Sequence, residues 1–189
     1  LSALDANQAG ALTVTQIAGL TTTQVAGLST SDIGELAATQ IGALTTTQVA
    51  RLGADVVSAL DAVQVAGLSA TQVAALTATQ VTALNATDVA EFSAAQLAAL
   101  TTTQVAALTS TNLADLVDTQ IQAFTTTQLL SLSTTNLRAL ADTQISELTT
   151  AQIAGLSITQ VQNLTATNTG ITAAIDRDGV GERDAAAIR

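Results

Sequence analysis

The 189-residue sequence contains no histidine, cysteine, lysine, methionine, proline, tryptophan or tyrosine. Without histidine, cysteine and lysine there is no imidazole base, thiolate nucleophile, Schiff-base amine or ordinary zinc site. Five arginines against fifteen acidic residues give a net charge of −10. This charge argues against a nucleic-acid partner, because such binding depends on clustered cations. We therefore expect a protein that is not an enzyme and does not bind nucleic acid.

Other absences concern location. No segment reaches the roughly 18 consecutive apolar residues of a membrane-spanning helix, so no membrane span is expected. No basic region followed by an apolar stretch opens the chain, so no signal peptide is predicted. The absence of cysteine leaves the redox compartment open. Leu1 lies already inside the repeat pattern, which indicates a piece of a longer protein.

The sequence is dominated by an eight-residue repeat. Leucine, replaced twice by phenylalanine, occupies every eighth position from 4 to 164 without insertion or deletion. The consensus octad is Leu-Thr-Thr-Thr-Gln-Val-Ala-Ala. Its second position is Thr, Ser, Asp or Asn in 16 of 20 octads, its fifth is Gln in 15, and its sixth is Val, Ile or Leu in 19. A disordered threonine-rich tract is the alternative, but disorder does not require an aliphatic residue at one fixed position.

The period of eight excludes two regular structures. Eight residues of a continuous α-helix turn through about 800°, so the apolar stripe would drift around the helix by about 80° per octad. In a β-strand, positions one and six would point to opposite faces. Neither a long helix nor a plain strand can bury the pattern.

One short helix per octad accounts for each position. With Thr or Ser of position two at the N-cap, Gln of position five becomes N3, which makes a capping box. Leu of position one and Val or Ile of position six then form the hydrophobic staple. The Thr21 and Thr101 hydroxyls are thus expected to accept from the amides of Gln24 and Gln104. The octad at Leu52, which has glycine at the cap and valine at N3, is expected to be the weakest.

Helices this short are unstable alone and must stack on their neighbours. We therefore predict an all-α solenoid of very short helices over residues 1–168, with positions one and six buried. Position five departs from Gln at 32, 56, 88, 112, 136 and 168, at intervals of three or four octads. This spacing favours three to four octads per coil over two, and predicts that these positions line one edge. Duplication in unequal blocks is the alternative.

Residues 169–189 break the repeat and are predicted to be a charged cap or linker. Within them, acidic oxygens accompany two glycines in a stretch that could wrap a hard cation. The candidate calcium ligands are Asp176, Asp178, Glu182 and Asp184. The match to an EF-hand loop is poor, and a solvated cap accounts for the same residues. Calcium is the single cofactor that the sequence suggests.

Two pairs of carboxylates lie three residues apart, Asp32 with Glu35 and Asp88 with Glu91. Such pairs could serve acid–base chemistry on one helix face. Asp32 and Asp88 also occupy the N3 position, where an acid suits both the capping box and the helix dipole. Capping therefore explains these two residues without catalysis.

Tandem Leu-Thr-Thr-Thr-Gln-Val-Ala-Ala units resemble repeat arrays of very large bacterial secreted or surface proteins of the adhesin and haem-utilisation-like type. The resemblance covers residues 1–168, and it implies an extracellular or cell-surface location and no catalytic residue. We expect a non-enzymatic stalk, spacer or self-associating fibre. The alternative is an ice- or surface-binding adhesin that uses regularly spaced threonines. A carbohydrate or surface partner stays open.

Overall fold

The computed structural model describes residues 6–165, which form a succession of short α-helices joined by corners of two to four residues. There is one helix per octad in this part of the chain. Their bounds are α1 (Ala6–Gly10), α2 (Val14–Ala18), α3 (Thr22–Ala26), α4 (Thr30–Gly34), α5 (Ala38–Ala43), α6 (Thr46–Val49), α7 (Ala54–Ser58), α8 (Ala62–Gly67), α9 (Ala70–Ala74), α10 (Ala78–Ala83), α11 (Ala86–Ala90), α12 (Ala94–Ala99), α13 (Thr102–Ala107), α14 (Ser110–Ala114), α15 (Asp118–Ala123), α16 (Thr126–Ser131), α17 (Thr134–Arg138), α18 (Asp142–Ser146), α19 (Thr150–Ala154) and α20 (Ile158–Thr165). The predicted all-α architecture is confirmed.

The predicted capping box starts most of these helices. Thr101, in extended conformation at φ −70° and ψ 158°, accepts a hydrogen bond from the Gln104 amide at 3.2 Å. The Gln104 Oε1 atom accepts in return from the Thr101 amide at 2.6 Å. Thr21 and Gln24 make the same two bonds, at 3.2 and 2.8 Å. The corners therefore include positions one and two of the octad, where the capping box places the N-cap.

The octad at Leu52 differs from its neighbours in its cap. Gly53 is the N-cap residue of α7 and has no side chain to accept a hydrogen bond from the Val56 amide. The Val56 side chain, at N3, has no polar atom to accept a hydrogen bond from the Gly53 amide. Where alanine replaces the cap residue, half of the box survives, since Gln40 Oε1 still accepts from the Ala37 amide at 2.7 Å. The helix α7 has neither half. The prediction that this octad is the weakest depends on the absence of these two capping hydrogen bonds.

The core is one continuous column built from positions one and six, as predicted. In α13 the position-six residue Val105 is fully buried, and Leu108 at the next corner is 2% exposed. Both phenylalanines, Phe92 and Phe124, are buried at position one. Burying such a side chain contributes about 1.5–3 kcal/mol. That contribution recurs from octad to octad, with Leu12 and Leu20 only partly buried near the start, and offsets the ordering cost that makes an isolated helix of this length unstable.

The helices are wound into a superhelix with three to four octads per turn. Most helices pack on the helix three places further along the chain, as α5 does on α8, α7 on α10 and α12 on α15. Side-chain hydrogen bonds between neighbouring turns join residues 28 to 31 apart in sequence. The spacing of 28, seen at the corners, is three and a half octads. The structure confirms the prediction of three to four octads per coil.

The departures from Gln at position five lie along one side of this superhelix. Helix α4 contacts α7, α11 contacts α14, and α14 contacts α17. A hydrogen bond from Ser58 of α7 to Asp88 of α11 connects the two sets. Intervals of three and four octads each differ from one turn by half an octad, so the five described replacements stay within one octad of each other around the turn. Position 168, the boundary there and the predicted cap at 169–189 lie outside the described residues.

Within residues 6–165, no helix is both long enough and apolar enough to cross a membrane.

Candidate functional site

The predicted calcium ligands Asp176, Asp178, Glu182 and Asp184 lie outside the described residues. Across residues 6–165, no three acidic side chains come together in a group that could hold a metal ion. Three other features distinguish this part of the chain. They are a set of buried glutamines, an acidic side and a side without charge.

The glutamine at position five bonds two turns of the superhelix together. While Gln104 Oε1 accepts from the amide of its own N-cap, its Nε2 donates to the carbonyls of Val73 at 2.9 Å and Leu76 at 2.6 Å. The Val73 carbonyl, at the end of α9, also accepts from the Leu76 amide at 3.2 Å, whereas the Leu76 carbonyl lies at the following corner, where backbone oxygens have no partner within their own helix. Gln104 is 2% exposed. One buried side chain thus satisfies an N-terminus and a C-terminus on successive turns.

This bond repeats along the described chain, and we call the set the glutamine ladder. Each member donates to the carbonyl 28 residues earlier, over 2.6 to 3.1 Å. The members are Gln40, Gln48, Gln64, Gln72, Gln80, Gln96, Gln104, Gln120, Gln128, Gln144, Gln152 and Gln160. The capping prediction accounted for the Oε1 atom of these residues and missed the Nε2 atom.

A signal for the missing half was present in the sequence. A capping box accepts Glu as readily as Gln, yet none of the 20 octads has Glu at position five. A carboxylate can make the capping bond but cannot donate to a carbonyl. A carboxylate occurs at position five only as Asp32 and Asp88, so the strong preference for Gln over Glu indicates that a donor is favoured there, and hence a second partner outside the octad.

Position-five replacements weaken the ladder in graded ways. Asn112 and Asn136 are one methylene shorter and donate to one carbonyl each, Leu84 at 2.9 Å and Leu108 at 2.6 Å. Asp88 has no donor, and it instead accepts a hydrogen bond from the Ser58 hydroxyl on the preceding turn. Val56 can make neither bond. These changes all fall on the same side of the superhelix.

The charged residues of the described chain also fall on that side. They are confined to residues 23–35, 51–63, 79–91, 107–119 and 135–147. These segments recur at the sequence spacing of one turn, three and a half octads, so they stack. We call the surface that they form the acidic edge. Its ten acidic residues are Asp32, Glu35, Asp55, Asp61, Asp88, Glu91, Asp115, Asp118, Asp142 and Glu147.

Glu91 differs from the other acids of the edge in having a buried carboxylate oxygen, Oε2, that has no hydrogen-bond partner. Burial raises the pKa of the Glu91 carboxyl, and the nearby charges of Asp88 and Asp61 raise that pKa further. Asp61 belongs to the preceding turn, so repulsion acts between turns as well as along the chain.

In the two predicted carboxylate pairs, the aspartates Asp32 and Asp88 act as capping acceptors. Asp32 Oδ2 accepts from the Ser29 amide at 2.8 Å and from the Ser29 hydroxyl at 2.7 Å. The backbone bond, followed by the side-chain bond, lowers the pKa of Asp32. Asp88 accepts from the amide of its own cap, Asn85, at 2.9 Å. The predicted capping role of both aspartates is confirmed.

The opposite side of the superhelix is uncharged. Residues 8–22, 36–50, 64–78, 92–106, 120–134 and 148–162 contain no charged side chain, and we call this surface the neutral face. A column of exposed position-four threonines runs along it, one from each turn: Thr15, Thr47, Thr71, Thr103, Thr127 and Thr159. Of the breaks in the threonine pattern, Ser31 and Val63 lie on the acidic edge, and Ala95 and Ala151 lie on the neutral face beside this column.

Three of the five large apolar residues that are exposed in the described part of the chain also lie on the neutral face. They are Val14, Leu130 and Ile158, which are 51%, 49% and 70% exposed. Val63 and Val117 lie in segments of the acidic edge. The two sides thus differ in charge and in threonine content, whereas exposed large apolar side chains occur on both.

Comparisons of the chain with protein families, with curated proteins and with solved structures found no match.

Proposed function

We propose that the chain is a non-enzymatic structural segment, a stiff and self-associating stalk or spacer of a large bacterial extracellular or surface protein. The observation that carries the proposal is the glutamine ladder. Each turn is bonded to the previous one by the same buried side chain making the same bonds, as Gln72 and Gln104 do. Such an array resists bending at every turn and can be lengthened by adding octads.

The chemistry of the side chains supports a role without catalysis. The aspartates that could have served as acid or base, Asp32 and Asp88, are used as capping acceptors. The surface repeats the same few residue types from turn to turn. Adding octads therefore lengthens the superhelix without adding a new kind of surface. The extracellular or surface location depends on the resemblance of the repeat unit to bacterial secreted arrays.

Length scaling tests the proposal. Deleting residues 44–99 removes seven octads, which are two turns, and joins Ala43 to Leu100 in the same register. Duplicating the same residues adds two turns. With packed helices about 8–10 Å apart, small-angle X-ray scattering should show a change of about 16–20 Å in length either way, at constant cross-section.

A second pair of variants separates a rod from a flexible chain. Removing or adding three octads should change the length by about 7–9 Å, in proportion to the part of a turn that is moved. A flexible tract would instead grow with the square root of its length. A cross-section that widens with octad number, or a loss of helical circular dichroism in the duplicated chain, would contradict the proposal.

The second candidate function is binding to ice or another ordered surface. The specific observation in its favour is the threonine column of the neutral face, which is exposed and complete in six successive turns. Thermal hysteresis measured on the wild-type chain tests it. Activity that falls when Thr47 and Thr103 are replaced by Val or Glu would favour this candidate over the spacer, and an absence of hysteresis and of ice shaping would dismiss it.

A further inference from the structure

The separation of charge across the superhelix controls how two copies can approach each other. All ten described acidic residues stand on the acidic edge, and both described arginines, Arg51 and Arg138, lie in its segments too. Two copies that meet through their acidic edges would bring like charges into contact, which is strongly unfavourable. Two copies that meet through their neutral faces place no charge in the interface.

When two copies meet through their neutral faces, the distance between their acidic edges is large enough to weaken the repulsion between them. A coil whose wall is one helix thick on each side is about 20 Å across, from a helix diameter of about 10 Å. Acidic edges on the outside of a back-to-back pair are then roughly 40 Å apart, about four to five Debye lengths at physiological ionic strength. Their repulsion is therefore screened.

The neutral face has the size and composition of a contact surface. Between five and six turns at about 8–10 Å give a strip about 50 Å long, and one helix with its flanking corners gives a width of about 15 Å. The resulting area, roughly 750 Å² per copy, approaches the roughly 800 Å² per partner of a standard interface. Val14, Leu130 and Ile158 supply exposed apolar side chains at both ends of the strip.

We propose that the neutral face is the surface through which two copies of this chain pack side by side, with their acidic edges turned outward. This inference rests on the proposed structural role and specifies its mode of self-association. The outward acidic edges then discourage a third copy from adding laterally. A pair of rods, rather than an open sheet or bundle, is the expected assembly.

Glutamate substitutions on the two sides test the contact. Thr47→Glu with Thr103→Glu places two charges on the neutral face, two turns apart. Val63→Glu with Thr119→Glu places two charges on the acidic edge, again two turns apart. All four residues are exposed, occupy position four of their octads and lie in the first helical turn, where glutamate is favourable. The two double variants therefore have equal net charge and retain the helices.

Sedimentation equilibrium on the full 189-residue chain is the measurement. The wild type is expected to be a monomer–dimer system without larger species. The neutral-face variant should raise the dissociation constant at least about 30-fold, as like charges facing each other require. The acidic-edge variant should change it less than about threefold. Circular dichroism melting of each variant verifies that the coil is intact.

Three results would overturn the inference: a wild-type chain that is monomeric at millimolar concentration, equal weakening in both variants, or association that neither variant weakens. Thermal hysteresis by a monomeric wild type would assign the neutral face to an ordered surface instead. The length experiment is independent of all these outcomes, because the rise per turn is the same in a monomer and in a pair. Failure of the contact is thus distinguishable from failure of the structural role.

Discussion

The Nε2 amide of Gln104 donates to the backbone carbonyl of Leu76, 28 residues earlier, over 2.6 Å. Because Gln104 Oε1 simultaneously accepts from the Thr101 amide, the side chain is fixed at both of its polar atoms. The corner carbonyl at Leu76 would otherwise be a buried acceptor without a partner, which costs about 1–3 kcal/mol. The helix cap and the contact between turns are therefore the same interaction.

The first prediction is that Gln104→Glu strongly destabilises the chain at neutral pH. The carboxylate keeps the capping bond but faces the carbonyls of Val73 and Leu76 without a proton to donate. The unsatisfied carbonyl of Leu76 and a buried charge together should cost about 2–4 kcal/mol. Urea denaturation at pH 7 measures the loss.

The pH dependence of this variant identifies the cause. Burial should raise the folded-state pKa of the introduced carboxyl above its unfolded value of about 4.3. Its protonated form, which can donate, is then favoured in the folded state. The lost stability should therefore return below about pH 4 and disappear again as pH rises through the folded pKa.

The matched control is Gln24→Glu, at an exposed residue with the same capping bonds as Gln104. An exposed carboxylate loses neither a buried carbonyl partner nor its hydration, so this substitution should cost less than about 0.5 kcal/mol. Equal losses at positions 24 and 104 would refute the donor argument.

The fold could be predicted from rules that apply within one octad, but the hydrogen bonds between successive turns could not. Capping box, staple and period are properties of a single octad, so the helices, the corners and the buried positions follow from the sequence alone. The donor role of Gln104 depends on Leu76, a partner one full turn away, and no rule within an octad contains that partner. Its trace in the sequence is the absence of Glu at position five.

The acidic edge was partly predicted by the same reasoning. The intervals of three and four octads between position-five replacements indicated one edge, and the structure confirms it. The charges themselves repeat once per turn, but a period that is not a whole number of octads stays hidden when the sequence is aligned by octads. The neutral face, defined by the missing charges, was hidden for the same reason.

The second prediction concerns the close approach of α5 and α8. A Cβ atom at Gly67 would lie 2.5 Å from the Ala38 carbonyl oxygen and 3.0 Å from the Ala38 Cβ. Backbone atoms of a packed helix cannot move aside, so Gly67→Ala should separate the two turns and cost about 1–3 kcal/mol. Thermal denaturation by circular dichroism measures the cost.

Gly34→Ala is the control for this substitution. Gly34 ends α4, and a Cβ atom there would meet nothing within 4 Å. Alanine in place of a helical glycine should therefore stabilise by about 0.5–1 kcal/mol. If Gly67→Ala were instead more stable than the wild type, α5 and α8 could not be packed as closely as the structure places them.

The third prediction is a pH-dependent gain from Glu91→Gln. The raised pKa of Glu91 means that its neutral form is favoured by folding. Its contribution to stability is thus complete below the unfolded pKa and is lost as pH rises through the folded pKa. Glutamine keeps the neutral form at all pH values. The variant should therefore be more stable than the wild type at pH 7, by less than about 1 kcal/mol, and equally stable near pH 4.

Asp32→Asn should show the opposite trend. The pKa of Asp32 is lowered by its bonds from Ser29, so its contribution is present above the unfolded pKa and is lost as pH falls through the folded pKa. The asparagine variant should be the less stable protein at pH 7 and approach the wild type under acid conditions. If the stability difference from the wild type changed with pH in the same direction for both variants, the two causes would be wrong: burial as the cause of the raised Glu91 pKa, and hydrogen bonds as the cause of the lowered Asp32 pKa.

The last prediction is that a consensus cap strengthens the octad at Leu52. Gly53 has φ −58°, which any residue can adopt, and a new Cβ there would meet the end of the flexible Asp55 side chain. Gly53→Thr combined with Val56→Gln supplies both halves of the capping box, worth about 1–2 kcal/mol for a helix that lacks them. The new glutamine would also face the corner carbonyl of Leu28, one turn earlier, and extend the glutamine ladder. The double variant should therefore unfold at a higher temperature than the wild type, and the gain should exceed that of Gly53→Thr alone. A Val56→Gln substitution that lowers the midpoint even when combined with Gly53→Thr would show that the acidic edge has no room for a full ladder residue.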